Sequence, residues 1–351
     1  MKGLFVLGTG GSGKTAICVA IAQRLSDSGA KVGYFKPIGN VSGTTLKYDR
    51  DAVLMKELLA MESDIECIVP YHTSPSYLSR YGAGDEMLAR VKKCFQQIRE
   101  TVDYILVEGT TSPQAMMALG LDAPNLAKKM GLSPVFISKG ENDYNLDETL
   151  LSLRYIKSLG ITPGGVIFNN VSKQNLDKCR GVYAPMLEAE GYPIIGVIPK
   201  SAELVSPTVR EIVEVLGGQL LEGSDHLERF VEEVMIGAMT PESALSYFHR
   251  SINKAVVVGG DRPAVALAAL ETNTAVLILT GGIYPDNRVL TRAAERNVPV
   301  LLVPYNTFDA VEKLHFVSRK FQATDTKAIA EARKQYEQSC DIARIRELLD
   351  A

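Results

Sequence analysis

Residues 3–25 read GLFVLGTGGSGKTAICVAIAQRL, and this stretch decides the fold. Its glycines at 8, 10 and 13 satisfy the dinucleotide fingerprint G-x-G-x-x-G. Gly8 to Thr15 also satisfy the phosphate-binding loop G-x-x-x-x-G-K-T. A dinucleotide fold normally places an acid at the end of its second strand, where it bonds the ribose. Here the second apolar run, KVGYFKP, ends at Lys36, and nothing in a dinucleotide reading uses Lys14 and Thr15. The P-loop reading uses both. Backbone N–H groups from Gly8, Gly10, Gly11, Ser12 and Gly13 cradle phosphates, Lys14 reaches the terminal phosphates, and Thr15 ligates Mg²⁺. An apolar strand feeds the loop and a helix leaves it, which offers an anion the helix N-terminus. The expected cofactors are ATP and Mg²⁺.

Outward from this loop, short apolar runs alternate with longer amphipathic ones as far as about Lys200. Strands are expected at Leu4–Leu7, Val32–Phe35, Tyr104–Val107, Val135–Ser138, Val166–Phe168 and Ile194–Ile198. Helices are expected at Lys14–Ser28, Asp51–Met61, Asp85–Thr101, Asn125–Met130, Leu146–Leu159 and Asn175–Glu190. The strand runs lack polar alternation, so the sheet is buried on both faces. That describes a P-loop NTPase-type α/β fold with a doubly wound, mostly parallel sheet. After Pro207 the rhythm restarts on a smaller scale, with three strand–turn–helix repeats beginning at AVVVGG, TAVLILTGG and VPVLLVP. This reading gives an ATP-binding domain over 1–205 and a second, smaller α/β domain over 206–351, its last part a charged helical tail.

The chain has 351 residues, 46% of them hydrophobic and 23% charged, a balance that suits packed domains. Its formal net charge of -3 provides no general attraction to nucleic acid or an anionic membrane, and neither is expected as a partner. Five scattered cysteines form no C-x-x-C pair, which argues against a zinc or disulfide framework and suits a reducing compartment. With neither a signal sequence nor a membrane-length apolar run, the expectation is a cytoplasmic protein.

Mg²⁺ with a nucleotide prefers one or two carboxylates plus water. The strand DYILVEGT ends in Glu108 at the carboxyl edge of the sheet, where open α/β folds bind ligands. Asp49 and Asp51 stand just before a helix, so Asp51 is readable either as a metal ligand or as a helix cap.

The series KPIG, DRDA, VEGT, FNNV and GVIP follows the P-loop in that order and resembles dethiobiotin synthetase and its relatives. The resemblance implies that Lys36 faces a substrate or its carbamate, that Asp51 and Glu108 hold Mg²⁺, and that Asn169 and Pro199 contact adenine. The second half is similar to the DRTGG domain, whose signature residues match Asp261, Arg262, Thr280, Gly281 and Gly282. These are its ligand candidates, although Asp261–Arg262 also reads as an ion pair closing a turn, and the glycines as plain strand-to-helix turns. Together the halves resemble the N-terminal region of long phosphotransacetylases. Because the acetyl-transferring domain of those enzymes is not in the sequence, phosphotransacetylase activity is not expected from this chain alone. The resemblance also implies a homodimer.

Two departures bear on function. Gly10–Gly11–Ser12 fills the part of the loop where dethiobiotin synthetase carries acids, and Thr110–Thr111–Ser112–Pro113 replaces its glycine run after the strand-end glutamate. Partition and septum-site ATPases carry a lysine where Thr9 stands. The sequence therefore supports two roles. One is a nucleotide-dependent regulator whose second domain senses a small ligand, in the setting of acyl-phosphate and coenzyme A metabolism. The other is an ATP-dependent synthetase, or a slow ATPase, that activates a carboxylate or carbamate with Lys14, Lys36 and Glu108 as its working groups.

Overall fold

The computed structural model describes residues 2–40, 48–74, 76–80, 84–315, 317, 323 and 325–351. The chain divides into two compact units, one of Met1–Ser201 with Phe321–Ala351 and one of Ala202–Lys320.

Eight strands belong to the first unit: β1 (Gly3–Gly8), β2 (Val32–Phe35), β3 (Ile38–Asn40), β4 (Tyr71–Thr73), β5 (Tyr104–Glu108), β6 (Ser133–Lys139), β7 (Gly165–Val171) and β8 (Ile194–Pro199). Six of them form one sheet in the order β2-β5-β1-β6-β7-β8, and every pairing is parallel. All six residues of β1 and all five of β5 are buried, as expected of strands covered by helices on both sides. All six strands expected from the sequence are present. The short pair β3–β4 was not expected, since three residues carry too little pattern to announce a strand.

From β1 the chain skips over β5 to make β2 at the sheet edge, then later builds outward on the other side. A crevice therefore opens at the carboxyl end of β1. Register brings three functional segments to it, because Val6 lies beside Glu108 on one side and Val135 on the other.

The helix expected over Asn175–Glu190 is irregular. It runs as a 3₁₀ turn, a short α segment at Leu176–Lys178, a π turn at Cys179–Tyr183 and a second α segment at Ala184–Ala189. Pro185 has no N–H with which to close an α-helical bond, and the turn before it widens.

The tail departs from the sequence-based division. Residues 321–351, expected in the second domain, pack with the first unit. Helix Thr326–Ser339 buries Ala328, Ile329, Ala332 and Tyr336, and it packs on the P-loop helix Lys14–Asp27. Helix Ile342–Asp350 buries Ile345, Leu348 and Leu349. Between them Cys340 bridges Gly196 of β8, and the Asp341 N–H donates to the Ile195 carbonyl at 2.7 Å. The apolar stripe of each helix finds its partner on the first unit, and that burial outweighs chain order.

The second unit holds β9 (Gln219–Glu222), β10 (Glu233–Ile236), β11 (Lys254–Gly259), β12 (Thr274–Thr280) and β13 (Val300–Leu302). Their order is β10-β11-β12-β13-β9, parallel except for β9. Helices Pro241–Phe248, Pro263–Leu270 and Asn287–Arg296 share one core with Val256, Val258, Leu277 and Leu279. Helix Val209–Leu216 and the helix at Thr307–His315 share the other with Ala255, Val257, Val276 and Ile278. The three helices linking these sequential parallel strands share the first of these cores and so lie on one face, as crossovers of a single hand require. The three repeats seen in the sequence are β11, β12 and β13 with the helices that follow them.

Candidate functional site

The site begins with the backbone of the loop. Gly11 and Gly13 sit at φ 69° and 84°, conformations that glycine adopts without the cost a side chain would add. Gly13 is the residue before the helix Lys14–Asp27, and no side chain caps that helix start. The helix thus presents uncapped N–H groups and the positive end of its dipole. Within the loop, Ser12 is fully buried and its Oγ has no hydrogen-bond partner among the described residues. A buried hydroxyl without a partner costs free energy unless a ligand supplies one. The Lys14 ammonium folds back to donate to the carbonyls of Gly8 and Thr9 at 3.2 and 2.9 Å. Burial lowers its affinity for the proton, while the charge of Glu108 works the other way.

Next to the loop stands a buried charge cluster. Thr15 Oγ1 donates to Glu108 Oε1 at 3.1 Å, and the Tyr34 hydroxyl donates to Glu108 Oε2 at 2.9 Å. Lys36 Nζ lies 3.1 Å from Asp49, 2.5 Å from Asp51 and 3.8 Å from Glu108. Burial disfavours the Lys36 charge, but Glu108, Asp51 and Asp49 outweigh it and hold the ammonium protonated. Burial pushes the Glu108 carboxyl up to about 7, against the pull of Lys36. The helix cap is Asp49, whose carboxylate accepts from the N–H groups of Asp51 and Ala52. Asp51 sits in the first turn and turns its own carboxylate to Lys36.

Among the described residues no group of three or more His, Cys, Asp and Glu forms a metal cluster. The oxygen donors collected here are the Thr15 hydroxyl and the carboxylates of Asp51 and Glu108. An all-oxygen set with few carboxylates suits Mg²⁺, which keeps several waters. Uncapped N–H groups, the orphaned Ser12 hydroxyl and Lys14 suit the phosphates the metal would accompany.

Asn169, at 8% exposure, points its amide at the loop rather than outward. Its Nδ2 donates to the Ser12 carbonyl at 2.8 Å and lies 2.2 Å from where a Cβ on Gly13 would stand. Pro199 ends β8 half-buried. Thr111 packs over Gly10, and the Thr110 hydroxyl closes on the Ser112 carbonyl at 2.6 Å.

Two groups at this site escaped sequence reasoning. Tyr34 shares a strand face with Lys36 at a spacing of two, a signal available in KVGYFKP. Lys139, the last residue of β6, brings its Nζ to 3.3 Å from the Cβ position of Gly11. No motif marks it.

In the second unit the candidate residues are engaged by their own fold. Arg262 donates to the carbonyls of Gly237 and Met239, each at 2.6 Å, instead of pairing with Asp261. Gly281 and Gly282 donate their N–H groups to the carbonyls of Tyr305 and Val303. The Thr280 hydroxyl lies 2.9 Å from that of Thr307. Asp261 is exposed beside Gly259.

Comparison with known proteins matches the two halves of the chain to two families. Residues 2–208 match the AAA domain family and residues 211–317 the DRTGG domain family. Phosphate acetyltransferase of Pseudomonas putida is 28% identical over 337 residues, which is 90% of this chain and 47% of that protein. The chain thus spans about half the length of the phosphate acetyltransferases it matches. The ATP-dependent dethiobiotin synthetase BioD of Bacillus subtilis is 28% identical over 222 residues, 61% of this chain and 94% of that one. Among solved structures, the septum site-determining protein MinD of Pyrococcus horikoshii, complexed with Mg-ADP, aligns at 15% identity and a TM-score of 0.34. That alignment covers 58% of this chain and 83% of that one. No helix among the described residues is long and apolar enough to cross a membrane.

Proposed function

Because the chain belongs to the AAA domain family, we propose that its first unit binds ATP with Mg²⁺ and that the protein is a nucleotide-dependent regulator. The observation that carries the reading is the loop itself: an uncapped helix start, a buried orphan hydroxyl at Ser12, and Lys14 held against the loop. Backbone N–H groups of residues 10–15 bind the phosphates, and Lys14 leaves the Gly8 and Thr9 carbonyls to neutralise the terminal ones. Thr15, Asp51 and Glu108 hold Mg²⁺, which supplies charge neutralisation and orientation of the phosphates. Tyr34 fixes the orientation of Glu108. Asn169 braces the loop through the Ser12 carbonyl, and the adenine contact of Asn169 and Pro199 is what the resemblance implies.

The regulatory role rests on what surrounds that loop. The Thr110 hydroxyl closes on the Ser112 carbonyl and Thr111 approaches Gly10, so the segment at 110–113 lies against the loop in place of the glycine run of dethiobiotin synthetase. In the second unit the signature arginine, Arg262, serves its own backbone at the Gly237 and Met239 carbonyls. The similarity of the whole chain to about half of a phosphate acetyltransferase supports a setting in acyl-phosphate and coenzyme A metabolism. A cytoplasmic homodimer completes the proposal, with five unpaired cysteines in keeping with a reducing compartment.

One observation favours a second reading, an ATP-dependent synthetase that activates a carboxylate or carbamate. Lys36 stays a protonated lysine beside the loop, held by Asp49, Asp51 and Glu108, and exchanging Asp51 for an anionic acceptor would bring it to the substrate. Calorimetric titration with Mg-ATP tests the common ground. Micromolar binding is expected for the intact protein, with a loss of at least about 100-fold in Lys14→Ala. Absence of binding to the intact protein overturns both readings. Turnover assays with a panel of carboxylic acids and amines then separate them: slow, unstimulated hydrolysis supports the regulator, and stimulation by one acid supports the synthetase.

A further inference from the structure

We infer that Lys139 is a second cation for the polyphosphate, acting with Lys14 from within the same chain. The inference rests on the ATP reading above and goes beyond the P-loop residues themselves. Three observations carry it. First, β6 pairs with β1 so that Ile137 lies beside Gly8, and Lys139 follows two residues later on the same face of the strand. Its Nζ and Cε come within 3.3 and 3.5 Å of the Cβ position of Gly11. Glycine at position 11 suits the positive backbone angle there and leaves the lysine end room to approach.

Second, the ammonium is unspent. Among the described residues Lys139 makes neither an ion pair nor a side-chain hydrogen bond through Nζ, although the residue is half-buried. Lys14 and Lys36, its companions at the site, are both engaged. A partly desolvated cation without a partner is costly, and an arriving anion removes that cost.

Third, the wall it belongs to is built around the loop. Lys139 pairs in register with Asn169 of β7, which is braced against Ser12 and Gly13. The ends of β6 and β7 therefore cover the glycines from one side, while Thr111 covers Gly10 from another. Next to them lies the fully buried Ser12 hydroxyl without a partner. An anion seated on the loop N–H groups has two ammonium groups at the loop to meet it, Lys14 at Gly8 and Thr9 and Lys139 at Gly11.

Calorimetry on the full chain tests this with two probes, Mg-ATP and inorganic tripolyphosphate, at several salt concentrations. Lys139→Gln is expected to weaken both about tenfold to a hundredfold and to make the salt dependence shallower. Lys139→Arg is expected to stay within a few-fold of the intact protein. The melting temperature of the ligand-free Gln variant should stay within a few degrees, as the lysine has no partner to lose. Unchanged affinity and salt dependence in Lys139→Gln, with the intact protein binding ATP, overturn the inference and leave the ATP reading standing. An intact protein that binds neither probe overturns both.

Discussion

Glu108 is where sequence, burial and electrostatics meet in one residue. It ends β5 fully inside the protein, takes hydrogen bonds from Thr15 and Tyr34, and lies within reach of Lys36. Burial raises its carboxyl to about 7, so the folded protein holds this proton more tightly than the unfolded chain does. The sign follows from linkage: the stabilising contribution is full below the ordinary value near 4.5 and is lost as pH rises through about 7. Urea unfolding of the ligand-free protein should show stability falling by on the order of 2 kcal/mol across that window. Glu108→Gln, which cannot titrate, should flatten the slope; an equal slope in the variant would place the titrating group elsewhere. That a strand-end carboxylate sits beside the P-loop was legible from VEGT alone. The identity of its partners was not, since Tyr34 and Lys36 are more than seventy residues away in sequence. Lys139 was less legible still, because a lone lysine after an apolar strand carries no pattern.

At the scale of elements, hydrophobic periodicity located the six main strands and most helices, since buried parallel strands and amphipathic helices differ plainly in pattern. It failed where elements are very short, as in β3 and β4, or half-exposed, as in β9 and β10. It also could not say what the tail packs against. The stripe Ala328, Ile329, Ala332 and Tyr336 shows that helix Thr326–Ser339 has a buried face, not which surface receives it. The structure gives the answer in Ile21, Leu25 and the rest of the P-loop helix. Tyr336 is 1% exposed at this contact, so Tyr336→Ala should cost about 3–5 kcal/mol in urea unfolding of the first unit. A cost below about 1 kcal/mol would mean that the tail is a loosely held appendage.

At the scale of the molecule, the second unit is an insertion into the first. Two cores, one on each face of its sheet, are made from residues 202–320 without help from the tail. The first unit is discontinuous, and its fragment 1–201 lacks helix Thr326–Ser339, which packs on the P-loop helix, and helix Ile342–Asp350, which packs against β1. That fragment should melt several degrees below the intact first unit, and a peptide of residues 323–351 added in trans should recover part of the loss. Calorimetric scans of fragment, peptide mixture and full chain would read this directly. Equal melting with and without the peptide would show that the tail helices contribute nothing.

The split first unit also sets an order of assembly during synthesis. A ribosome delivers residues 1–201 early, then the whole of the inserted unit, and only afterwards the two helices that the first unit needs. The insertion can therefore be finished while the unit that carries the phosphate loop is still waiting for its last pieces. Until those helices emerge, the apolar side of the P-loop helix stays open to water, chaperones or neighbouring chains. Nucleotide arriving in that interval would meet a loop whose supporting helix has only part of its packing.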